Sequence, residues 1–460
     1  MHFPATIPGV RHRSPPISIL IVLLFAAAIG CPSEVPVLEP PPPQAPVRSA
    51  EPPLWEPPGS EDPVAFAWGV QSGDAVAVGA VLSVRTTEED VLLVLARADG
   101  DAGWIDVSAD SLEVPESGVV QTTVNGLEPD TAYSYAFFAA DGERRSRPGR
   151  FRTAPAAGTT PRVVTFGASH GFKGNQAWPS LSWAADERLD AFFLLGDTVY
   201  ADDANELDEY REYWVEALEQ EGMGDLTAST SMVAIWDDHE VANNWLPADL
   251  DPQQLEDALA AYREALPQRI GPGGSTVWRA MTWGDTAEVI VLDSRGERTE
   301  DTYLSDEQMT WLQDALTASD ARFKLILNSV PITDFSPLIG DALAFDRWSG
   351  YPEDRAEILE FIDTHGIEGV LWLTGDFHMG TVNRIDPPGG LAHDQWEVMV
   401  GTTGSALNAV ALVAEPDEQF QQIIHAWCYT WLELDPATGQ AHVRFIDDGG
   451  ELVAEQTLSL

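Results

Sequence analysis

Lysine is nearly missing from this chain: of 25 basic residues only Lys173 and Lys324 are lysines. Against them stand 74 acidic residues, for a formal net charge of −49. Without residues 1–30, which carry Arg11 and Arg13 and no acid, the balance is −51. Such a surface stays soluble and repels polyanions, which argues against nucleic acid or an anionic membrane surface as partner. It repels phosphates too, so an anionic substrate would need a strong local positive field. Bound cations are one source of that field. Adaptation to a salt-rich habitat is a second reading of the acidity, and composition does not choose between them.

Cysteine is equally scarce, with Cys31 and Cys428 alone. A disulfide framework is therefore excluded, and a packed core must hold the body together. Cys428, between Trp427 and Tyr429, reads as a packing residue. Long apolar runs are also few. The one at residues 17–30, "ISILIVLLFAAAIG", is short for a membrane span and follows the basic Arg11 and Arg13, as in an export signal. Its end, "AAIGC" at 27–31, resembles a bacterial lipoprotein signal with Cys31 as the acylated residue, although Ala28 stands at the usual Leu position. An ordinary cleaved signal peptide is the alternative. Diacylation of Cys31 would give the two-chain anchor that stable membrane attachment needs.

What is present divides the rest. Residues 31–60 are Pro-rich and aperiodic, a semi-rigid spacer. Residues 61–155 alternate in short runs broken by Gly, Asp and Pro, predicting an all-β sandwich. Its "GLEPDTAYSYAFF", 126–138, resembles the corner of fibronectin type III-like modules. Residues 160–460 alternate apolar strands with helical patterns, predicting an α/β domain with buried central strands. A Ser305–Gln308 capping box opens one of those helices.

Five of these strands end in polar residues. "VVTFGASH" delivers Ser169 and His170; "FFLLGDTVY" delivers Asp197 and Tyr200; "VAIWDDHE" delivers Asp237, Asp238 and His239, with Asn243 and Asn244 following. "IVLDSRGER" supplies Asp293, Arg295 and Arg298, and "LWLTGDFH" supplies Asp376 and His378. In open α/β sheets ligands bind at the carboxyl ends of strands. Carboxylates gathered there repel one another unless something positive sits among them. Oxygen donors with few histidines suit hard cations such as Ca²⁺, Mg²⁺, Mn²⁺ or Fe³⁺. Asp197 could then bridge two metals, His239 act as general acid, and Arg295 bind phosphate oxygens as a bidentate fork.

The order G-D-x-x-Y, W-D-D-H-E-x-x-N-N, L-D-x-R-x-x-R, G-D-x-H resembles the PhoD-type alkaline phosphatases, calcineurin-like metallophosphoesterases. The stretches 66–86, "LSDEQMTWLQDAL", "RWSGYPEDRAEIL" and "MVGTTGSALN" extend the likeness over nearly the whole body. The resemblance implies a four-layer αββα core and hydrolysis of phosphomonoesters or diesters at alkaline pH by a metal-activated hydroxide. It implies an Fe³⁺ and Ca²⁺ centre, with Asp197 and Tyr200 on the iron and Asp238, Asn243 or Asn244, Asp376 and His378 as further ligands. One departure stands out: the family's first strand ends in F-x-S-C, whose Cys is an iron ligand, and Ser169 occupies that place here. His170 substituting for it, a different metal (Mn²⁺ or Mg²⁺), and a weakened site are the three readings. The functional alternatives are a non-catalytic cell-surface binding protein on the same fold and a phospholipase D-like phosphodiesterase.

Overall fold

The computed structural model describes residues 54–99, 103–159, 161–173, 177–335 and 344–460. The export signal, Cys31 and most of the Pro-rich spacer lie outside the described residues. No described helix is long and apolar enough to cross a membrane.

The six apolar runs of the α/β region all form strands: Val164–Ser169, Ala191–Leu195, Ser231–Ile235, Ala287–Val291, Phe323–Leu327 and Val370–Thr374. Every residue of Ala191–Leu195, for example, is buried, as a strand covered on both faces requires. The first three run parallel side by side in a nine-stranded sheet, the last three in a seven-stranded one. The sheets pack face to face. Phe166, Phe193 and Val233 from one share a core with Val289, Leu325 and Leu371 from the other. Because side chains alternate along a strand, the intervening residues face outward. Phe192, Leu194 and Met232 meet Leu181, Trp214 and Tyr262 of helices Pro179–Asp186, Leu207–Leu218 and Pro252–Ala265. Ile290, Ile326 and Trp372 meet Leu312 and Ile358 of helices Asp306–Ala318 and Pro352–Thr364. The layers are therefore helix, sheet, sheet, helix.

Helix starts follow local chemistry. Asp251 accepts a hydrogen bond from Gln253 N, with Pro252 in the first helical position. Ser305 likewise accepts from Gln308 N, but the reciprocal half of the predicted box is not made. The buried Gln308 side chain instead accepts from Asp293 N at 2.8 Å and donates to Asp293 O at 3.0 Å, pinning a strand end.

The N-terminal β region is less self-contained than its sequence suggests. Its Asp90–Ala98, Trp104–Glu113 and Ala132–Ala139 strands lie in a six-stranded sheet of their own. The Tyr133 hydroxyl accepts from Glu128 N at 2.9 Å, a bracing tyrosine at the corner. Three other strands, Val70–Val76, Gly79–Arg85 and Val119–Asn125, extend the nine-stranded core sheet instead. Ser231 and Met232 pair in parallel with Ser72 and Gly73. A Cβ on Gly73 would stand 1.7 Å from Pro267 O, so only glycine permits this approach. Next to it the buried Asp74 receives Arg279 Nε and Nη2 at 2.7 and 2.9 Å. Arg279 belongs to the other core sheet and also donates to Ala234 O at 3.1 Å, so this ion pair ties both sheets to a strand that leads into the site.

Candidate metal centre

The strand ends converge as expected. Asp197, Asp238 and His239 present ligand atoms all within 4.8 Å of one another, and so do Asp237, Asp238 and Asp376. Asp238 is common to both groups, whereas sequence reasoning gave the bridging part to Asp197. Sharp turns deliver these side chains. Asp197, Asn244, Asp376 and His378 have φ of 54°, 55°, 62° and 51°. Non-glycine residues rarely adopt that region, and such strain collects at functional sites.

Each donor has a defined neighbourhood. The Tyr200 hydroxyl donates to Asp197 Oδ2 at 2.9 Å, lies 3.1 Å from His378 Nε2 and also contacts Ser405 Oγ. His378 Nε2 is itself 3.3 Å from Asp197 Oδ2. Asp238 Oδ2 accepts from Asn244 N at 2.7 Å. With its amide nitrogen turned inward, Asn244 also donates to Asp238 Oδ2 and Asp346 Oδ2, at 2.9 and 3.1 Å. His239 Nδ1 is 2.6 Å from Asp202 Oδ1, and its ring leans on Tyr200 with centroids 4.1 Å apart. Glu240, 1% exposed, accepts from three backbone N–H groups: Asp197 and Asp237 at 3.1 and 2.8 Å on one oxygen, Thr198 at 2.6 Å on the other. One carboxylate thus clamps the ends of two strands.

Electrostatics show what the cluster lacks. Burial, reinforced by Asp238 and Asp237, pushes the Asp197 carboxyl well above its usual range. Burial and then Asp237 and Asp346 do the same to Asp376, against the pull of Arg295. Two carboxylates about 4.8 Å apart repel by roughly 3 kcal/mol at an effective dielectric of about 20. Arg295 does not neutralise them all. Its Nε donates to Asp237 Oδ1 at 2.5 Å and its Nη1 to Asp346, while Arg298 Nη1 donates to Asp346 at 2.9 Å. Asp197 Oδ1, Asp237 Oδ2 and Asp238 Oδ1 are buried with no hydrogen-bond partner among the described residues. Acceptor oxygens left bare around a shared space fit cations, and a set of carboxylates, phenol and imidazole fits hard to borderline ones. For His239, burial disfavours the charged ring, but Asp202, Asp197 and Asp238 outweigh it and lift the imidazole to about 9.

Three sequence-based expectations are corrected. Asn243 is exposed, and Asn244 is the asparagine that meets Asp238. Ser169 is not among the donors: its hydroxyl donates to Gly401 O at 2.8 Å and pairs with Thr403 Oγ1 at 2.5 Å. Arg295 is wholly buried with Nε and Nη1 engaged, so it has no bidentate fork for a phosphate; Nη2 alone lacks a hydrogen-bond partner. Sequence reasoning also left out Asp237 as a member of the carboxylate group, Glu240 as the clamp, and Asp202 and Asp346 as partners. Asp202 was the most findable, two residues beyond Tyr200 in "YADD".

The model for the PhoD-like phosphatase family matches residues 165–430, which include every strand end named above, and that for the PhoD-like phosphatase N-terminal domain matches residues 53–155. The chain belongs to the PhoD-like phosphatase family. Alkaline phosphatase D of Bacillus subtilis (strain 168) is 27% identical over 322 residues, 58% of this chain and 54% of that protein. The chain thus spans about half the length of that curated relative. A solved PhoD structure superposes with a TM-score of 0.73 at 21% identity, covering 88% of this chain and 90% of that one. A purple acid phosphatase from yellow lupin (Lupinus luteus) seeds gives 0.64 at 13% identity, covering 86% and 75%. At those identities the likeness is one of fold, a metallophosphoesterase-like α/β architecture. Within the PhoD-like family, the N-terminal match coincides with the region whose strands extend the core sheet.

Proposed function

We propose that this chain is a metal-dependent hydrolase of phosphate esters. The observation that carries the reading is two groups of metal-ligating side chains that share Asp238, one completed by Asp197 and His239 and the other by Asp237 and Asp376, with Asp197 Oδ1, Asp237 Oδ2 and Asp238 Oδ1 buried and without a hydrogen-bond partner among the described residues. Asp197, Tyr200, Asp238, Asp376, His378 and Asn244 would hold two cations; iron with calcium is the pairing the family resemblance suggests, with manganese or magnesium as alternatives. Bound there, the ions would polarise the phosphoryl group and make a nucleophile available near neutral pH.

The chain's own residues do the rest. His239, oriented by Asp202, would give a proton to the leaving oxygen. Arg295 holds Asp237 from within and turns its free Nη2 toward Asp238 and Asp376, 3.8 and 3.9 Å away. Lys173, an exposed residue, lies with its ammonium 4.5 Å from the centroid of the Tyr200 ring, a positive charge at the mouth for the incoming anion. The export signal and Cys31 lipidation suggested by the sequence would put this body outside the cytoplasm, tethered through the spacer.

The test is metal content of the purified protein alongside hydrolysis of p-nitrophenyl phosphate and its bis-ester at pH 8–10. Two ions per chain, with turnover abolished in Asp197→Ala, support the hydrolase, and the preferred ester separates a phosphatase from a phospholipase D-like phosphodiesterase. A protein that binds no ion and turns over neither ester, even with added iron, manganese or calcium, is the non-catalytic binding protein instead.

A further inference from the structure

We infer that His170 is a ligand of the metal centre, supplying an imidazole nitrogen from the first strand of the site; the inference rests on the metal-dependent reading above. His170 is 0% exposed, and among the described residues neither Nδ1 nor Nε2 has a hydrogen-bond partner. Buried polar side chains are almost always paired, and an imidazole with both nitrogens bare is aimed at something that is not protein. The backbone does not need it: His170 N donates to Gly401 O at 3.3 Å and His170 O accepts from Thr403 N at 3.1 Å.

Strand phase explains where the ring goes. Phe166 and Ala168 face the core between the two sheets, so His170 continues on that face, as Asp237 does after Val233 and Ile235. Ser169 is out of phase, which is why its hydroxyl is bonded to Gly401 and Thr403 and cannot serve the centre. The His170 ring stacks on that of His378, centroids 5.7 Å apart and planes 25° apart, and His378 reaches Asp197 and Tyr200. Room for it is built in. A Cβ on Gly375, immediately before Asp376, would come within 3.0 Å of His170 Cβ and Cγ and 2.8 Å of Leu195 O. With two imidazoles on that side, the ion beside His170 and His378 is a first-row transition metal, not a second calcium or magnesium.

Cobalt(II) is the probe, because its d–d absorption reports ligand type directly. The metal-free full chain is titrated with Co²⁺ and bound ions are counted in the wild type, His170→Ala and His170→Cys. The expected result is two ions in the wild type. His170→Ala should lose one ion or bind it at least tenfold more weakly, with an altered d–d spectrum. His170→Cys should regain the ion and add a thiolate-to-cobalt charge-transfer band, which a merely structural side chain cannot produce. Unchanged stoichiometry, affinity and spectrum in His170→Ala, or no charge-transfer band in a folded His170→Cys, would overturn the inference and leave the hydrolase reading standing. A wild type that binds no cobalt overturns both.

Discussion

Replacing Glu240 tests whether the site is assembled by its backbone or only by its ligands. Its two oxygens face three backbone N–H groups, those of Asp197, Thr198 and Asp237. In Glu240→Gln the amide oxygen can keep the Asp197 and Asp237 bonds, while its NH₂ must face the Thr198 N–H. One bond to a charged acceptor is lost, worth about 1.5–3 kcal/mol, less the relief of no longer burying a carboxylate. The net expectation is a loss of about 2 kcal/mol. Glu240→Ala strands all three donors at about 1–3 kcal/mol each, a total of about 3–9 kcal/mol and a large share of the stability of an ordinary domain. The glutamine variant is therefore the informative one, with urea unfolding of the metal-loaded protein as the assay. Metal affinity is the second readout. The clamp sets where Asp197 and Asp237 emerge, so about 1.4 kcal/mol of misplacement would weaken binding tenfold. A Glu240→Gln protein with unchanged stability and unchanged Mn²⁺ affinity would refute the reasoning, showing that the two strand ends are held by packing alone.

Lys173→Ala should raise KM for an anionic ester roughly threefold with little change in kcat, as expected for a charge at a solvated rim, while Lys173→Arg should keep most of the affinity; an unchanged KM in the alanine variant removes Lys173 from substrate binding. Cys31→Ser should move the protein from the membrane fraction to the soluble one without altering turnover, and continued membrane association would show that the tether is something else. The metal-free body should melt higher at pH 5.5 than at pH 8.5, measured at high salt to screen surface repulsion. Burial lifts Glu240 to about 7 from an ordinary 4.5, so the folded state keeps a proton there that the unfolded chain gives up, and stability falls as pH rises through that interval. His239, raised to about 9, stabilises the fold while charged and loses that contribution between about 6.5 and 9, in the same direction. A melting temperature equal or higher at pH 8.5 would contradict both assignments.

How far the sequence was legible depends on the range of the interactions that decide each feature. The six central strands announce themselves locally as apolar runs, four of which stop on Asp, and so Asp197, Asp238 and Asp376 were found with their strands. Tyr200 and His378 came as ligands from the family resemblance of G-D-x-x-Y and G-D-x-H. What failed was phase. Ser169 and His170, or Asn243 and Asn244, are neighbours in the chain, yet one of each pair faces the site and the other does not; at the end of a strand a one-residue step inverts the face, and in the turn that carries Asn243 and Asn244 the local backbone decides. Partners from elsewhere in the chain were out of reach. Asp346 comes from a short 3₁₀ turn, not from a strand end, and only the fold sets it against Arg295 and Arg298. Glu240 looked like one more acid in an acidic protein, and nothing in its local sequence says that it accepts from two strands at once. The shared sheet was hidden for the same reason, since the pairing of Ser231 with Ser72 joins residues 159 positions apart.

The acidity and the site belong to one argument. A body with a net charge of −49 repels an anionic ester at long range, but salt screens that field beyond roughly 8–10 Å. Inside that distance the local charges decide. The two buried arginines nearest the cluster are bonded to Asp237 and Asp346, so among the described residues of the centre His239 and Lys173 are the positive groups left for a phosphate before any ion binds. Those two cannot offset Asp197, Asp237, Asp238 and Asp376 together. Ester binding should therefore require the cations even where turnover is not measured: a non-hydrolysable phosphonate should show no binding to the chelated protein and bind once Mn²⁺ is restored. Equal binding in both states would mean that the anion is held by the protein's own charges, and that the carboxylate clusters serve something other than phosphate chemistry.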